Sequence, residues 1–330
     1  VFDARIAGDV ASVLVQQLGE KIDRVRECAG GILHAVLTQD APRVPSLPER
    51  ELLEATFLSP DGSWAAGGAS DLGAAEGTFP RLVKLLDTEA YMTAVLAGLT
   101  VTVGGITESL VKQSWTALLG HMQGAGDAKG LAGRVSESML GLLQKHQGDS
   151  RMVLPLFKTL TLLVSNGCFN SLQPPGNPKP LEFVGVVQSE MRGCKDVPKM
   201  QAGASALCAL LQYQDPSVRT PCLQTLIALL CHRYPKLRRH VAEQLYMATL
   251  TFGDICAPER LEEAMSALSE NDWAAEVAGL KPIRDGLYSV FGVERVEPPP
   301  KEKPAEGAEP KKAPQKKDET YADLVKEMHY

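Results

Sequence analysis

The stretch "TVTVGGITESLVKQSW", Thr100 to Trp115, admits two readings with opposite consequences. As a strand, a glycine turn and a helix start, it would form a cradle of backbone N–H groups for a phosphate. As the end of one helix, a tight corner and the start of the next, it needs no ligand. Spacing favours the second. Tyr91, Val95, Leu96 and Leu99 keep helical spacing upstream, and "VTV" continues that segment. Gly104-Gly105 is not followed by the Lys-Ser/Thr of a P-loop. One of these glycines is therefore expected at the left-handed position that closes a helix, with Thr107 as N-cap of the next. Thr107, Glu108 and Ser109, exposed at such a start, are candidate contacts for a partner.

The same periodicity runs outward in both directions. Val10, Val13, Leu14 and Leu18 suggest one stripe, and Ile22, Val25, Ala29, Ile32, Leu33 and Val36 the next. Val111, Trp115, Leu118 and Met122 follow, then Leu131, Val135, Met139 and Leu142. Val218, Cys222, Leu226 and Leu230 precede Leu237, Val241, Leu245 and Ala248. This is the spacing of helices that bury one face, and no series of alternating strands interrupts it. The expected class is all-α.

Three segments share a finer pattern: "VRECAGGIL" (Val25–Leu33), "VRTPCLQTL" (Val218–Leu226) and "LRRHVAEQL" (Leu237–Leu245). Each opens with an aliphatic residue and Arg, has a small or modest apolar residue in fifth place, and ends on Leu. The last two are separated by the corner "CHRYPK", and Pro216 and Pro235 stand near helix starts, where a missing N–H costs nothing. Such units point to a HEAT/armadillo-like α-solenoid, in which helix pairs bury their faces against their neighbours.

Composition agrees. The chain has 330 residues, a formal charge of −6 and only 5% aromatic residues, so aliphatic side chains carry the core. The charge argues against general nucleic-acid binding, and no segment reaches the roughly 18 apolar residues of a membrane span. Seven scattered Cys without a CxxC pair are expected as free thiols of a reducing compartment, the cytosol. The start, "VFDARIAGDV", has neither a leader pattern nor an initiator Met, and reads as a piece of something longer.

Pro-rich connections are expected at "TQDAPRVPSLPE" (38–49) and "SLQPPGNPKP" (171–180), and a long loop at "SPDGSWAAGGASDLGAAEGT" (59–78). A helical-repeat region over 1–293 and a disordered Pro/Lys-rich tail over 294–330, with a short terminal helix at "TYADLVKEMHY", complete the expected organisation.

Catalytic motifs are not found. "GAGDAKG" (Gly124–Gly130) misses the dinucleotide spacing and follows a helical run. There is no GxSxG, no HExxH and no metal spacing among the six His. No cofactor and no catalytic residue is expected. The pointed surface feature is "HRYPKLRRH" (His232–His240). Lys236, Arg238 and Arg239 fall in the first turn of a helix, where positive charge is mildly unfavourable, so the expectation is that they face an acidic partner.

"FPRLVKLLDTEAYMTAVLAGLTVTVGGITESLVKQS" (Phe79–Ser114) resembles the C-terminal region of the tubulin-folding cofactor D family. So do "VLPLFKTLTLLVSNGCF" (Val153–Phe169), "LLCHRYPKLRRHVAEQLYMATLTFGD" (Leu229–Asp254), "ALSENDWAAEV" (Ala267–Val277) and "EKIDRVRECAG" (Glu20–Gly30). The likeness implies HEAT-like repeats and a non-catalytic chaperone that binds β-tubulin. It further implies assembly and disassembly of the α/β-tubulin heterodimer with cofactors C and E and an Arf-like small GTPase, as a GTPase-activation partner. A cytoplasmic location at the microtubule cytoskeleton and centrosome would follow. The alternative from the residues alone is a generic HEAT or armadillo adaptor for other cargo. Two features depart from the family pattern. Pro282 interrupts the stripe Trp273, Val277, Leu280, Leu287 and Phe291, so a bend or break is expected near Lys281. The tail from Glu294 carries no likeness.

Overall fold

A computed structural model describes residues 4–40, 43–65, 73–103, 107–125 and 130–296. The Gly104-Gly105 corner, most of "GAGDAKG" and the tail with its terminal "TYADLVKEMHY" lie outside them. Among the described residues there are fourteen α-helices and no strand beyond an isolated bridge between Leu58 and Trp64. The first seven are α1 (Ala4–Leu18), α2 (Asp23–Thr38), α3 (Arg50–Phe57), α4 (Ala75–Leu82), α5 (Glu89–Val103), α6 (Glu108–Ala125) and α7 (Leu131–Lys145). The second seven are α8 (Ser150–Ser165), α9 (Lys179–Met191), α10 (Val197–Leu210), α11 (Pro216–Leu229), α12 (Pro235–Thr251), α13 (Leu261–Ser269) and α14 (Val277–Val290).

From α7 onward the helices pack as pairs, α7 with α8, α9 with α10, α11 with α12 and α13 with α14. The pairs stack into two rows. One row runs α7, α9, α11, α14 and the other α5, α8, α10, α12, α13. The last pair therefore enters in swapped order. This is the α-solenoid expected from the periodicity, each pair burying its apolar face on its neighbours. Helix starts follow local chemistry. The Asp149, Asp196 and Asp215 carboxylates accept from the N–H groups of Arg151, Lys199 and Ser217, capping α8, α10 and α11.

The Arg of the shared pattern has one role at every occurrence. It is the fourth residue of α2, α11 and α12, and its guanidinium turns inward. Arg26 donates to the Glu20 and Gly73 carbonyls, both at 2.7 Å, and to the Asp23 carboxylate. Arg219 donates to the Leu211 carbonyl at 3.0 Å and to the Asp254 carbonyl and carboxylate, each at 3.1 Å. Arg238 donates to His232 and Trp273 at 2.7 Å, and to Ala274 and Ala275 at 3.0 and 2.7 Å, all of them carbonyls. Each therefore joins the turn before its own helix to a turn 35 or 47 residues later.

Prolines also recur in register. Pro80, Pro155, Pro221 and Pro282 are each the sixth residue of their helix. The carbonyls they free belong to Glu76, Arg151, Ser217 and Ala278, all exposed first-turn residues, where water can replace the lost bond. For this reason the break expected near Lys281 does not occur. α14 runs unbroken across Pro282, and the interruption lies upstream, in the turn that carries Trp273.

Three further expectations are corrected. α1 buries Ala7, Ala11, Leu14, Val15 and Leu18, which leaves Val10 and Val13 exposed with Ile6. In α6 the buried line is Leu110, Ser114, Leu118 and Met122, which places Trp115 outside it. The expected long loop over 59–78 is partly structured. Trp64 is buried against Phe57, ring centroids 5.0 Å apart, and α4 begins within the stretch.

α1 and α5 cross where Gly19 and Gly98 meet. A Cβ on Gly98 would stand 2.2 Å from the Gln16 carbonyl oxygen, and one on Gly19 would stand 2.7 Å from the Gly98 carbonyl carbon. Thr102 Oγ1 donates to the Gly19 carbonyl at 2.5 Å across the same contact. Gly98→Ala should therefore cost about 2 kcal/mol despite its better helix propensity. Gly141→Ala, on an exposed position of α7 with nothing within 4 Å, should gain about 0.5–1 kcal/mol. Urea midpoints at constant m-value check both signs.

Candidate protein-interaction surface

α12 stands in its row between α10 and α13. Tyr234 is extended at the N-cap and Pro235 opens the helix. Leu237, Val241, Leu245 and Ala248 face inward as their spacing predicts. The outward line is then Lys236, Arg239, Glu243, Met247 and Leu250, the last two 55% and 51% exposed. It reads basic at the start and apolar at the end.

The cations of "HRYPKLRRH" separate into two kinds. Lys236 and Arg239 are exposed, and Lys236 has no ion-pair partner among the described residues. Arg239 lies 3.9 Å from Asp272, with side chains 60% and 70% exposed, a contact worth little in water. Arg233 stacks over the Tyr234 ring at 4.6 Å. Arg238 is different: it is 2% exposed and occupied with four internal carbonyls, so it does not face a partner as expected. The first-turn position pointed correctly to an unusual cation but not to its direction.

On its α13 side, α12 borders a cleft of about 340 Å³ lined by Arg239, Tyr246, Met247 and Trp273. The Trp273 indole donates to the Leu268 carbonyl at 2.9 Å, and its own carbonyl takes the Arg238 bond, so the cleft wall is fixed from inside. On the α10 side His240 lines a groove that passes over α10. His240 Nε2 lies 3.1 Å from the Gln201 carbonyl oxygen and 2.9 Å from Ser205 Oγ. A carbonyl only accepts, so Nε2 carries the proton and presents no lone pair to Ser205. The contact ties α12 to α10 and does not activate the serine. Burial lowers the His240 pKa, which keeps the ring neutral at pH 7.

Thr107, Glu108 and Ser109 are exposed at the start of α6, and the Thr107 carbonyl accepts from Val111 N at 3.0 Å, as an N-cap residue does. Thr107 and Ser109 line a cavity of about 640 Å³ with Lys21, Asp23 and Arg26. α6 packs on α4, α5 and α7, whereas α12 packs on α10, α11 and α13. The five exposed sequence candidates thus fall into two separate patches, and Arg238 belongs to neither. Met247 and Leu250 were missed, although both stand well off the line Leu237, Val241, Leu245, which is the signal that would have found them.

Among the described residues no group of three or more His, Cys, Asp and Glu could hold a metal, and no helix is long and apolar enough to cross a membrane. All seven cysteines are free. Burial raises the Cys208 and Cys222 thiols well above their ordinary values, so neither is a thiolate nucleophile near neutrality.

Comparison with known proteins adds what geometry alone leaves open. The model of the family described as "Tubulin folding cofactor D C terminal" matches residues 8–199. The "Tubulin-specific chaperone D" of Dictyostelium discoideum is 22% identical over 260 residues, 72% of this chain and 17% of that protein. The chain therefore spans only a small part of that relative's length. No solved structure matches. The family match ends inside α10, so the α12 surface lies past it.

Because Arg238 holds turns and Arg239 holds none, their substitutions should separate. Arg238→Met leaves four carbonyls, the buried Trp273 carbonyl among them, without their donor and should cost about 3 kcal/mol. Arg238→Lys should recover little of that, since an ammonium cannot span the same set of carbonyls. Arg239→Ala should stay within about 0.5 kcal/mol of the parent. Thermal and urea unfolding of the three variants measure the difference.

Proposed function

We propose, from the premise that this chain belongs to the tubulin folding cofactor D C-terminal family, that it is the helical-repeat scaffold of a tubulin chaperone. In this reading it binds β-tubulin and the α/β-tubulin heterodimer, and acts in making and remaking that heterodimer together with cofactors C and E and an Arf-like small GTPase. Its contribution to tubulin GTP hydrolysis is that of an activation partner, presenting and orienting the client while other subunits supply the chemistry. Its place is the cytoplasm, at the microtubule cytoskeleton and centrosome. The family match over 8–199 is the observation that carries the reading.

The physics of the fold supports it. Stacked helix pairs offer long ridges and grooves to a bulky folded partner without large movements of their own. Lys236 and Arg239, exposed on the α12 ridge, are assigned to an acidic stretch of the client, with Met247 and Leu250 supplying the apolar half of the contact.

Purified α/β-tubulin titrated against the chain tests the reading. The double variant Lys236→Glu/Arg239→Glu should bind about ten-fold more weakly at low salt. Affinity of the parent should fall with ionic strength more steeply than that of the variant. Unchanged capture with an intact helical spectrum removes these two residues from the contact.

A further inference from the structure

The groove over α10 is built differently from the rest of the surface. α10 contributes small or short side chains, Ala202, Gln201 and Ser205, to a floor recessed between α8 and α12. Leu154 and Lys158 of α8 stand on one side, His240 of α12 closes the other, and Trp115 of α6 stands at the edge. The groove measures about 580 Å³. Helix axes packed about 8–10 Å apart give it a reach of about 16–20 Å from α8 across to α12. That is the length of about five or six extended residues, which suits a polypeptide segment better than a compact small molecule.

Two observations define the occupant's chemistry. The first is charge. The chain holds 40 acidic and 34 basic residues, yet among the described residues no Asp or Glu lines this groove and Lys158 is its one formal charge. Lys158 is exposed and has no ion-pair partner among the described residues. A carboxylate entering the groove meets one cation and no opposing anion. The second is the indole. Of three Trp, Trp64 and Trp273 are 2% and 4% exposed and packed inside, while Trp115 is 41% exposed at the groove edge. An exposed indole beside the apolar lining of Val103, Leu154, Leu162 and Ala202 is the composition of an interface anchor.

We propose that the groove over α10 seats an apolar segment of the folded client bearing a carboxylate, the apolar side chains covering Ala202 and packing on Trp115 and Leu154, the carboxylate pairing with Lys158. The assignment rests on the reading of the client as tubulin. It is a second contact, on the α6–α8–α10 side of α12 and separate from Lys236 and Arg239. Unlike the α12 ridge, its α6 and α8 walls lie wholly within the residues matched by the family model.

The test is equilibrium titration of purified α/β-tubulin against the full chain and its variants, each first checked for an unchanged helical spectrum and melting curve. The substituted side chains are exposed, so folding should be retained. Trp115→Ser/Lys158→Glu should weaken binding ten-fold or more. Lys158→Gln should give a smaller loss, and Trp115→Phe should keep most of the affinity. Lys112→Glu, on α6 but in the cavity facing α4, should change it less than two-fold. Parent-like binding by folded Trp115→Ser/Lys158→Glu overturns the groove assignment and leaves the tubulin reading in place. Absence of binding by the parent chain overturns both. Self-association of the parent that is lost in the same variant gives the groove to a second copy, which also overturns the assignment.

Discussion

A guanidinium buried without enough carboxylate to neutralise it must be surrounded by carbonyl oxygens, and these must come from backbone that has no helical partner for them. Arg238 meets that demand with four carbonyls and no acid. The oxygens belong to His232, in the turn before α12, and to Trp273, Ala274 and Ala275, in the turn before α14. One side chain thus pairs four carbonyls outside the helices and ties the corner before α12 to the corner before α14. Arg26 and Arg219 do the same with help from Asp23 and Asp254, whose carboxyl pKa is lowered by the Arg219 bond.

In a stack of helix pairs this matters more than in a closed bundle, because each pair touches only its neighbours and no distant element corrects an error in angle. Apolar burial tells the helices to pack but is non-directional. Direction comes from the polar ties at the corners. Where an Arg is absent another tie appears. Lys199 and Glu190 form a buried pair at 2.5 Å, and the second Glu190 oxygen accepts from Gly148 N at 2.9 Å, joining α10, α9 and the turn before α8. At the start of the stack a steric element joins the polar ties, the Gly19–Gly98 contact that lets α1 lie directly on α5.

Most of the fold was legible in the sequence because helical periodicity and capping are local. The class, the paired helices and the shared Val/Leu-Arg pattern all follow from neighbours within ten residues. What was not legible was any property set by contacts between distant segments. Val10, Val13 and Trp115 satisfy a 3–4 spacing as well as the residues that are buried, and only packing decides which line faces in. Pro282 looked like a break because interior Pro is costly, but its cost depends on whether the freed carbonyl can be solvated, and at the sixth helical position here that carbonyl belongs to the exposed Ala278. For the candidate site the first turn of α12 was singled out by its charge, and two of its cations, Lys236 and Arg239, are exposed there. Its three cations were treated as one surface, although Arg238 is turned inward by carbonyls 35 to 37 residues away that no local pattern announces.

The division between Arg238 and its neighbours also governs how the surface itself must be understood. Lys236 and Arg239 stand on the outward side of the same turn whose inward side Arg238 anchors, so their position is inherited from the clamp. A change at Arg238 would loosen the turn that carries Trp273, and with it one wall of the cleft that Arg239 and Met247 line. Loss of client binding after such a change would report a displaced ridge and not a missing contact. The outward pair can be altered without touching the carbonyls behind it. In a stack of this kind the interior cations set where the exterior ones stand, and only the exterior ones are presented to solvent.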